Sequence, residues 1–304
     1  MPGNGAFCFP GFRGRNSLRQ FSNGPRWIRS GASLREFRFP AATVNAVPDS
    51  LVVNEIYLSL QGESTFAGLP CVFVRLTGCN LRCSYCDTAY AFTAGKRRTF
   101  TQIRTEVDRL AEPYADLARA HFPPVINAGD ASAQHRLPLV EFTGGEPLLQ
   151  PKAAELMRQF AAEGYTVLVE TSGAHDIAQL DRRIRRIMDL KCPSSGESDR
   201  NLWSNLAHLQ PTDEIKFVIG TREDYAWAKA AIQAHKLDAK CPLLFSWVAP
   251  LAPAQQDKAL KPVPAGHTPL SRRELVDAII ADHLPVRFQL QMHKFVWPVD
   301  ARGV

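Results

Sequence analysis

The stretch Arg75-Leu-Thr-Gly-Cys79-Asn-Leu-Arg-Cys83-Ser-Tyr-Cys86-Asp-Thr88 carries three cysteines in Cys-x3-Cys-x2-Cys spacing. Three thiols on so short a segment can wrap one inorganic centre. Structural zinc prefers four ligands delivered as two close pairs, and no second Cys-x2-Cys or His pair follows, so the spacing favours an iron-sulfur centre. An electron-carrying cluster would have four cysteine ligands. A cubane held by Cys79, Cys83 and Cys86 alone keeps one iron open to something other than protein.

The remaining cysteines, Cys8, Cys71, Cys192 and Cys241, are scattered, which does not read as a disulfide framework and fits a reducing compartment. Cys71 stands among apolar neighbours and reads as a small buried hydrophobe. At 304 residues, 45% hydrophobic and 22% charged, the chain can bury a large core. It has neither an apolar run of membrane-span length nor the apolar core of a secretory signal, so a cytoplasmic location without membrane attachment is expected.

Net charge is +6, and residues 1–48 hold seven of the arginines and no lysine. With only Glu36 and Asp49 as acids in the first fifty residues, the rest of the chain is nearly neutral, which disfavours nucleic-acid binding. Residues 1–48 lack helical or strand periodicity and read as a disordered Arg-rich extension preceding a domain over 49–304. Their composition is that of a transit peptide or of an unstructured tail from an upstream start.

From Leu51 onward short apolar runs alternate with amphipathic stretches. Strands are expected at 51–57, 71–76, 139–143, 165–170, 187–191, 214–219, 243–246 and 287–291. Helices are expected at 101–119, broken near Pro113, and at 151–163, 222–235 and 271–283, with a loop at 123–138. This alternation predicts right-handed crossovers and a parallel sheet: an α/β fold of open, partial β/α-barrel type. Charged or polar groups recur on one alternating face: Arg75, Glu141 with Thr143, Glu170, Asp189 with Lys191, and Glu214 with Lys216. A closed eight-stranded barrel fills its lumen with branched apolar side chains. A polar inner face predicts a wider barrel around a charged ligand, or ion pairs among these groups.

The cysteine loop resembles that of the radical S-adenosylmethionine superfamily. There, the methionyl amine and carboxylate chelate the open iron. Gly144-Gly-Glu-Pro147, after a strand, resembles the motif that receives the methionine amino group, and Tyr85 resembles the aromatic beside the adenine. Ser59-Leu-Gln-Gly-Glu-Ser64, Phe73-Val-Arg-Leu-Thr-Gly-Cys79 and Cys86-Asp-Thr88 further resemble the 7-carboxy-7-deazaguanine synthase family, over roughly residues 51–298.

That resemblance implies ring contraction of 6-carboxy-5,6,7,8-tetrahydropterin to 7-carboxy-7-deazaguanine with loss of ammonia, in queuosine biosynthesis. It also implies a 4Fe-4S cluster, S-adenosylmethionine, Mg2+, a flavodoxin- or ferredoxin-type electron donor and a homodimer. Leu60, Gln61, Gly62, Glu63, Arg75 and Thr143 would meet the pterin, Arg75 through its carboxylate. Asp87, Gly145, Glu146, Glu170, Ser194, Ser195 and Ser246 would line the cofactor site with Tyr85 and Cys86, and Thr88 would bind Mg2+. Met292-His-Lys-Phe-Val-Trp-Pro298 resembles the segment that caps the pocket, with His293 and Pro298 as contacts. Here the chain departs from the pattern, because six residues follow Pro298.

Physical reasoning concurs on Arg75: a guanidinium facing a lumen needs an anion, and its fork matches a carboxylate. Pairing with Glu55 or Glu141 is the alternative. Two further readings stay open: a glycyl-radical activase sharing the cysteine loop, and a structural or electron-carrying centre completed by Cys192 or Cys241.

Overall fold

The computed structural model describes residues 49–117, 135–298 and 301–304. The extension at 1–48 and most of the expected loop at 123–138 lie outside the described residues. Nine strands form one sheet: β1 (Ser50–Leu60), β2 (Pro70–Leu76), β3 (Lys96–Thr99), β4 (Leu139–Gly144), β5 (Val167–Thr171), β6 (Arg185–Asp189), β7 (Glu214–Ile219), β8 (Leu243–Trp247) and β9 (Arg287–Gln289). Their order is β3-β1-β2-β4-β5-β6-β7-β8-β9. From β2 to β9 every neighbouring pair is parallel, while β1 pairs antiparallel with β2 and β3. The sheet does not close, so the expected open α/β barrel is what forms. The short antiparallel strand β3 was not legible in the sequence, because Lys96-Arg-Arg-Thr99 has no apolar alternation to signal it.

Helices α1 (Phe100–Ala111), α2 (Ala153–Ala162), α3 (Arg222–His235) and α4 (Arg272–Ala281) lie close to expectation. Capping boxes at Thr99 with Gln102, Thr221 with Asp224 and Ser271 with Glu274 start three of them. The first helix ends at Ala111, short of the expected 119, and tightens into a 3-10 turn over Glu112–Leu117 that accommodates Pro113. A short α5 (His293–Val296) follows the last strand.

Period-two alternation divides each parallel strand. Val72, Val74 and Leu76 of β2, with Val140 and Phe142 of β4, face the helices and join Ile103, Leu156 and Phe160 in the main core. The opposite face is layered. At its floor Cys71, Phe73, Leu139, Leu168 and Ile187 form a separate apolar cluster, sealed by Phe66. Above that floor stand the charged positions.

Phe66 belongs to the loop joining β1 to β2, which reaches across to distant strands. Gln61 donates its side-chain amide to Glu141 on β4 (2.9 Å), and Ser64 is held through both backbone N–H and carbonyl by Gln289 on β9. Thr65 donates its backbone N–H (3.1 Å) and its hydroxyl to Glu214 on β7. Glu214 was expected on the ligand face, yet this carboxylate is taken up by the loop.

Burial pushes the Glu214 carboxyl up to about 7. Its contribution to stability is complete below the unfolded value and is lost as pH rises through 7. Glu214→Gln, which still accepts from Thr65, is therefore expected to match wild type near pH 5. At pH 8 it should exceed wild type by roughly 2–4 kcal/mol, measured by denaturant titration at both pH values.

Candidate active site

A cavity of about 560 Å³ opens at the carboxyl ends of the parallel strands. Cys79, Cys83 and Cys86 share its wall with Leu60, Gln61, Gly62, Glu63, Arg75, Tyr85, Asp87, Thr88, Thr143, Gly145, Glu170, Ser246 and His293. The sequence-predicted residues that do not line it are Glu146, Ser194, Ser195 and Pro298.

The cysteine loop leaves β2 at Gly78, whose φ of +98° suits glycine. Its path depends on Gly144-Gly145 at the end of β4. A Cβ on Gly144 would lie 2.2 Å from the Leu76 carbonyl oxygen, and one on Gly145 would lie 2.1 Å from that of Gly78. The absent side chains make room first for the cysteine loop's own backbone, and Glu146 N–H then donates to the Gly78 carbonyl (2.8 Å).

Glu146 itself corrects an expectation. It is fully buried, and its carboxylate accepts from Leu148 N–H (2.9 Å), Thr171 Oγ1 (3.0 Å), Ser172 N–H (2.7 Å) and Ser172 Oγ (2.5 Å). It ties the ends of β4 and β5 together and has no free face for a ligand. Ser194 and Ser195 are likewise structural: Ser194 donates N–H and Oγ to Asp224, and Ser195 Oγ donates to the Cys192 carbonyl. Their own carbonyls accept from Ser84, which moors the cysteine loop to the far side of the barrel.

Burial pushes all three loop thiols up, Cys83 to about 11, so loading a metal centre must expel protons into solvent. Cys71 lies in the floor cluster and Cys192 and Cys241 in the main core, and none of them lines the cavity. Tyr85 and Asp189 line the cavity, and among the described residues Tyr85 Oη and Asp189 Oδ1 are buried without a hydrogen-bond partner.

Arg75 stands with Nε 2.7 Å from Glu55 Oε1 and Nη2 2.7 Å from Tyr57 Oη, so the alternative pairing with Glu55 is realised. Tyr90 Oη also donates to Glu55 (3.0 Å). Burial alone would lower the guanidinium, yet Tyr57, Tyr90 and Glu55 hold it well above its usual value. Across the lumen, Lys216 Nζ sits between Glu63 (3.1 Å) and Glu170 (3.4 Å), and Glu170 accepts from Thr143 Oγ1 (3.2 Å). Lys191 pairs with Asp189 at 2.6 Å. Burial, and then Glu170, push Glu141 well above the usual carboxylate range.

The segment after β9 closes the rim. Met292 N–H donates to the Gly62 carbonyl (3.0 Å), Gln291 bridges Glu63 (3.2 Å) and Asp87 (3.1 Å), and Lys294 Nζ meets Asp87 at 2.7 Å. Burial would raise Asp87, but Lys294 holds it well below its ordinary value. Pro298 is exposed and off the cavity, whose rim includes Ala301 to Val304 instead. Sequence reasoning assigned no role to Lys191, Lys216, Tyr57, Tyr90, Gln291 or Lys294. The alternating polar face marked the two lumenal lysines, whereas Gln291 and Lys294 gave no local signal.

An unclosed parallel barrel with three cysteines on the loop after its first parallel strand, at the carboxyl edge, defines a radical S-adenosylmethionine enzyme, a class built around a 4Fe-4S cluster and that cofactor. No family model matches the chain. It is 40% identical over 254 residues to the 7-carboxy-7-deazaguanine synthase of Koribacter versatilis, covering 83% of this chain and 99% of that one. The same-named proteins of Chlorobaculum tepidum (38%; 84% and 97% covered) and Methanospirillum hungatei (34%; 83% and 87%) are similar over the same span. The crystal structure of QueE from Escherichia coli shares the fold, with a TM-score of 0.54 at 20% identity over 80% of this chain and 95% of that one. The chain belongs to the 7-carboxy-7-deazaguanine synthase family. Among the described residues no helix is long and apolar enough to cross a membrane.

Because Glu146 serves four buried donors, Glu146→Ala is expected to lower unfolding free energy by about 2–4 kcal/mol. Glu146→Gln should lose less. Chemical denaturation checks both, and an unchanged midpoint for the Ala variant would show that the carboxylate is dispensable to the fold.

Proposed function

We propose that the enzyme converts 6-carboxy-5,6,7,8-tetrahydropterin to 7-carboxy-7-deazaguanine with loss of ammonia. The observation that carries this reading is that one cavity is lined both by the three cysteines and by the Gln61–Glu63 loop with Arg75. Reactive centre and anion-recognising residues thus share one enclosed space. An activase acting on a protein chain would have no use for a floor sealed by Phe66 and a loop carrying Glu63.

When bound, the cluster and S-adenosylmethionine would supply radical chemistry to the substrate. Cys79, Cys83 and Cys86, which share the cavity wall, would hold the cluster once loading draws their thiolates onto it. The backbone at Gly145, together with Glu170 and Ser246, would receive the cofactor, and the Tyr85 ring would pack against its adenine.

Arg75 has five N–H donors, of which Glu55 and Tyr57 engage two, and the others can fork onto the pterin carboxylate. Glu63 accepts from the N–H groups of the aminopyrimidinone edge. Burial would raise this carboxyl, yet Lys216 and then His293 keep it below its usual value and so ionised for that task.

Thr88 is the candidate for Mg2+. Its hydroxyl lies 3.2 Å from Asp87 Oδ1, while Lys294 occupies the other oxygen of Asp87. Among the described residues no group of three or more His, Cys, Asp or Glu is set to hold a metal ion. A hard cation at Thr88 would therefore draw most of its oxygen shell from substrate and water. A flavodoxin- or ferredoxin-type donor, a homodimer and a cytoplasmic location complete the reading.

Anaerobic reconstitution tests it. The protein should bind about four irons per chain, lose them when Cys79, Cys83 or Cys86 becomes Ala, keep them in Cys192→Ala and Cys241→Ala, and turn over the carboxypterin. Arg75→Ala should keep cluster and cofactor binding and lose about 2–5 kcal/mol in kcat/KM. Stoichiometric zinc without sulfide, or no deazaguanine product, would defeat the assignment.

A further inference from the structure

The loop from Gln61 to Phe66 crosses the lumen and is held by side chains from three other strands. Glu141 of β4 holds Gln61, Gln289 of β9 holds Ser64, and β7 grips the loop twice from one face, through Glu214 to Thr65 and through Lys216 to Glu63. Three of these four contacts are hydrogen bonds to neutral groups. Glu63 alone is held by an opposite charge, and the same ammonium reaches Glu170 on β5.

Lys216 is 8% exposed at its side chain, and of the other acids near it Asp189 pairs with Lys191, Glu141 accepts from Gln61 and Glu214 accepts from Thr65. A largely buried cation between two carboxylates has few alternative positions, because leaving Glu63 strands a mostly buried charge. Lys216 therefore fixes the distance between a carboxylate on the loop and one on the sheet.

We propose that Lys216 is the positioning residue of this site, setting Glu63 against the pterin edge so that the substrate meets the cofactor in fixed register. The inference rests on the carboxypterin reading above. Lys216 acts through Glu63, and Glu170 keeps its hydrogen bond from Thr143 when the lysine is removed. Loss of Lys216 should thus be felt mainly on the substrate side, as weaker binding and as misaligned attack that wastes cofactor.

The test compares wild type, Lys216→Met, Lys216→Arg, Glu63→Gln and the Lys216→Met/Glu63→Gln pair in the reconstituted full chain. Lys216→Met is expected to raise the carboxypterin KM at least tenfold and the 5'-deoxyadenosine released per deazaguanine at least fivefold. Its S-adenosylmethionine Kd should stay within threefold and its iron content unchanged. Lys216→Arg should restore most of both losses, and in the Glu63→Gln background Lys216→Met should add less than twofold.

A KM and product ratio like wild type in Lys216→Met would overturn the proposal. So would independent, multiplicative effects of the two substitutions, or a loss of iron that the Arg variant does not restore. Absence of deazaguanine from wild type would instead bring down the functional reading on which it stands.

Discussion

Charge neutralisation among groups buried at the base of a partial barrel is the constraint on which this structure depends. Glu63, Glu141 and Glu170 converge on a lumen where Lys216 is the shared cation. Carboxylates that close cannot all ionise out of solvent. One outcome is visible in Glu141, whose raised proton affinity leaves Glu63 and Glu170 to share the ammonium. The loop that bears Glu63 is held in place by that arrangement, and with it the floor of the cavity.

A second constraint is steric. Where β2 and β4 end side by side, the cysteine loop must turn over the next strand at backbone contact distance, and Gly144-Gly145 allows it. Glu146 then gathers the donors of the following turns, and the carbonyls of Ser194 and Ser195 moor Ser84 from across the barrel. Residues that resemble ligand contacts in the sequence here build the frame in which the three thiols are displayed. Side chains with four protein partners have nothing left to offer a small molecule.

The fold was largely legible because the parallel strands read as compact apolar runs and the helices as amphipathic stretches between them. Period-two alternation also located the lumenal charges, Lys191 and Lys216 included. Beyond the pairing of Arg75 with Glu55, which the sequence offered as an alternative, it did not reveal which groups meet: Glu214 turns to Thr65 and Asp87 to Lys294. Those choices are set by three-dimensional proximity between strands and loops far apart in the chain. The end of the chain was the least readable, since Gln291 and Lys294 act through partners about two hundred residues away and Pro298 follows a pattern this chain extends past.

The lumen-crossing loop also bears on how the molecule comes to be. Thr65 finds Glu214 across 149 residues of sequence, and Ser64 finds Gln289 across 225. Closing such long loops carries a large entropic cost before any contact rewards it. During synthesis the loop with the three thiols emerges long before β9 exists to help seal the floor beneath it. For that interval the loop through Ser64 and Thr65 lacks the Gln289 and Glu214 partners that hold it, so the cavity is completed only when nearly all of the chain has been made.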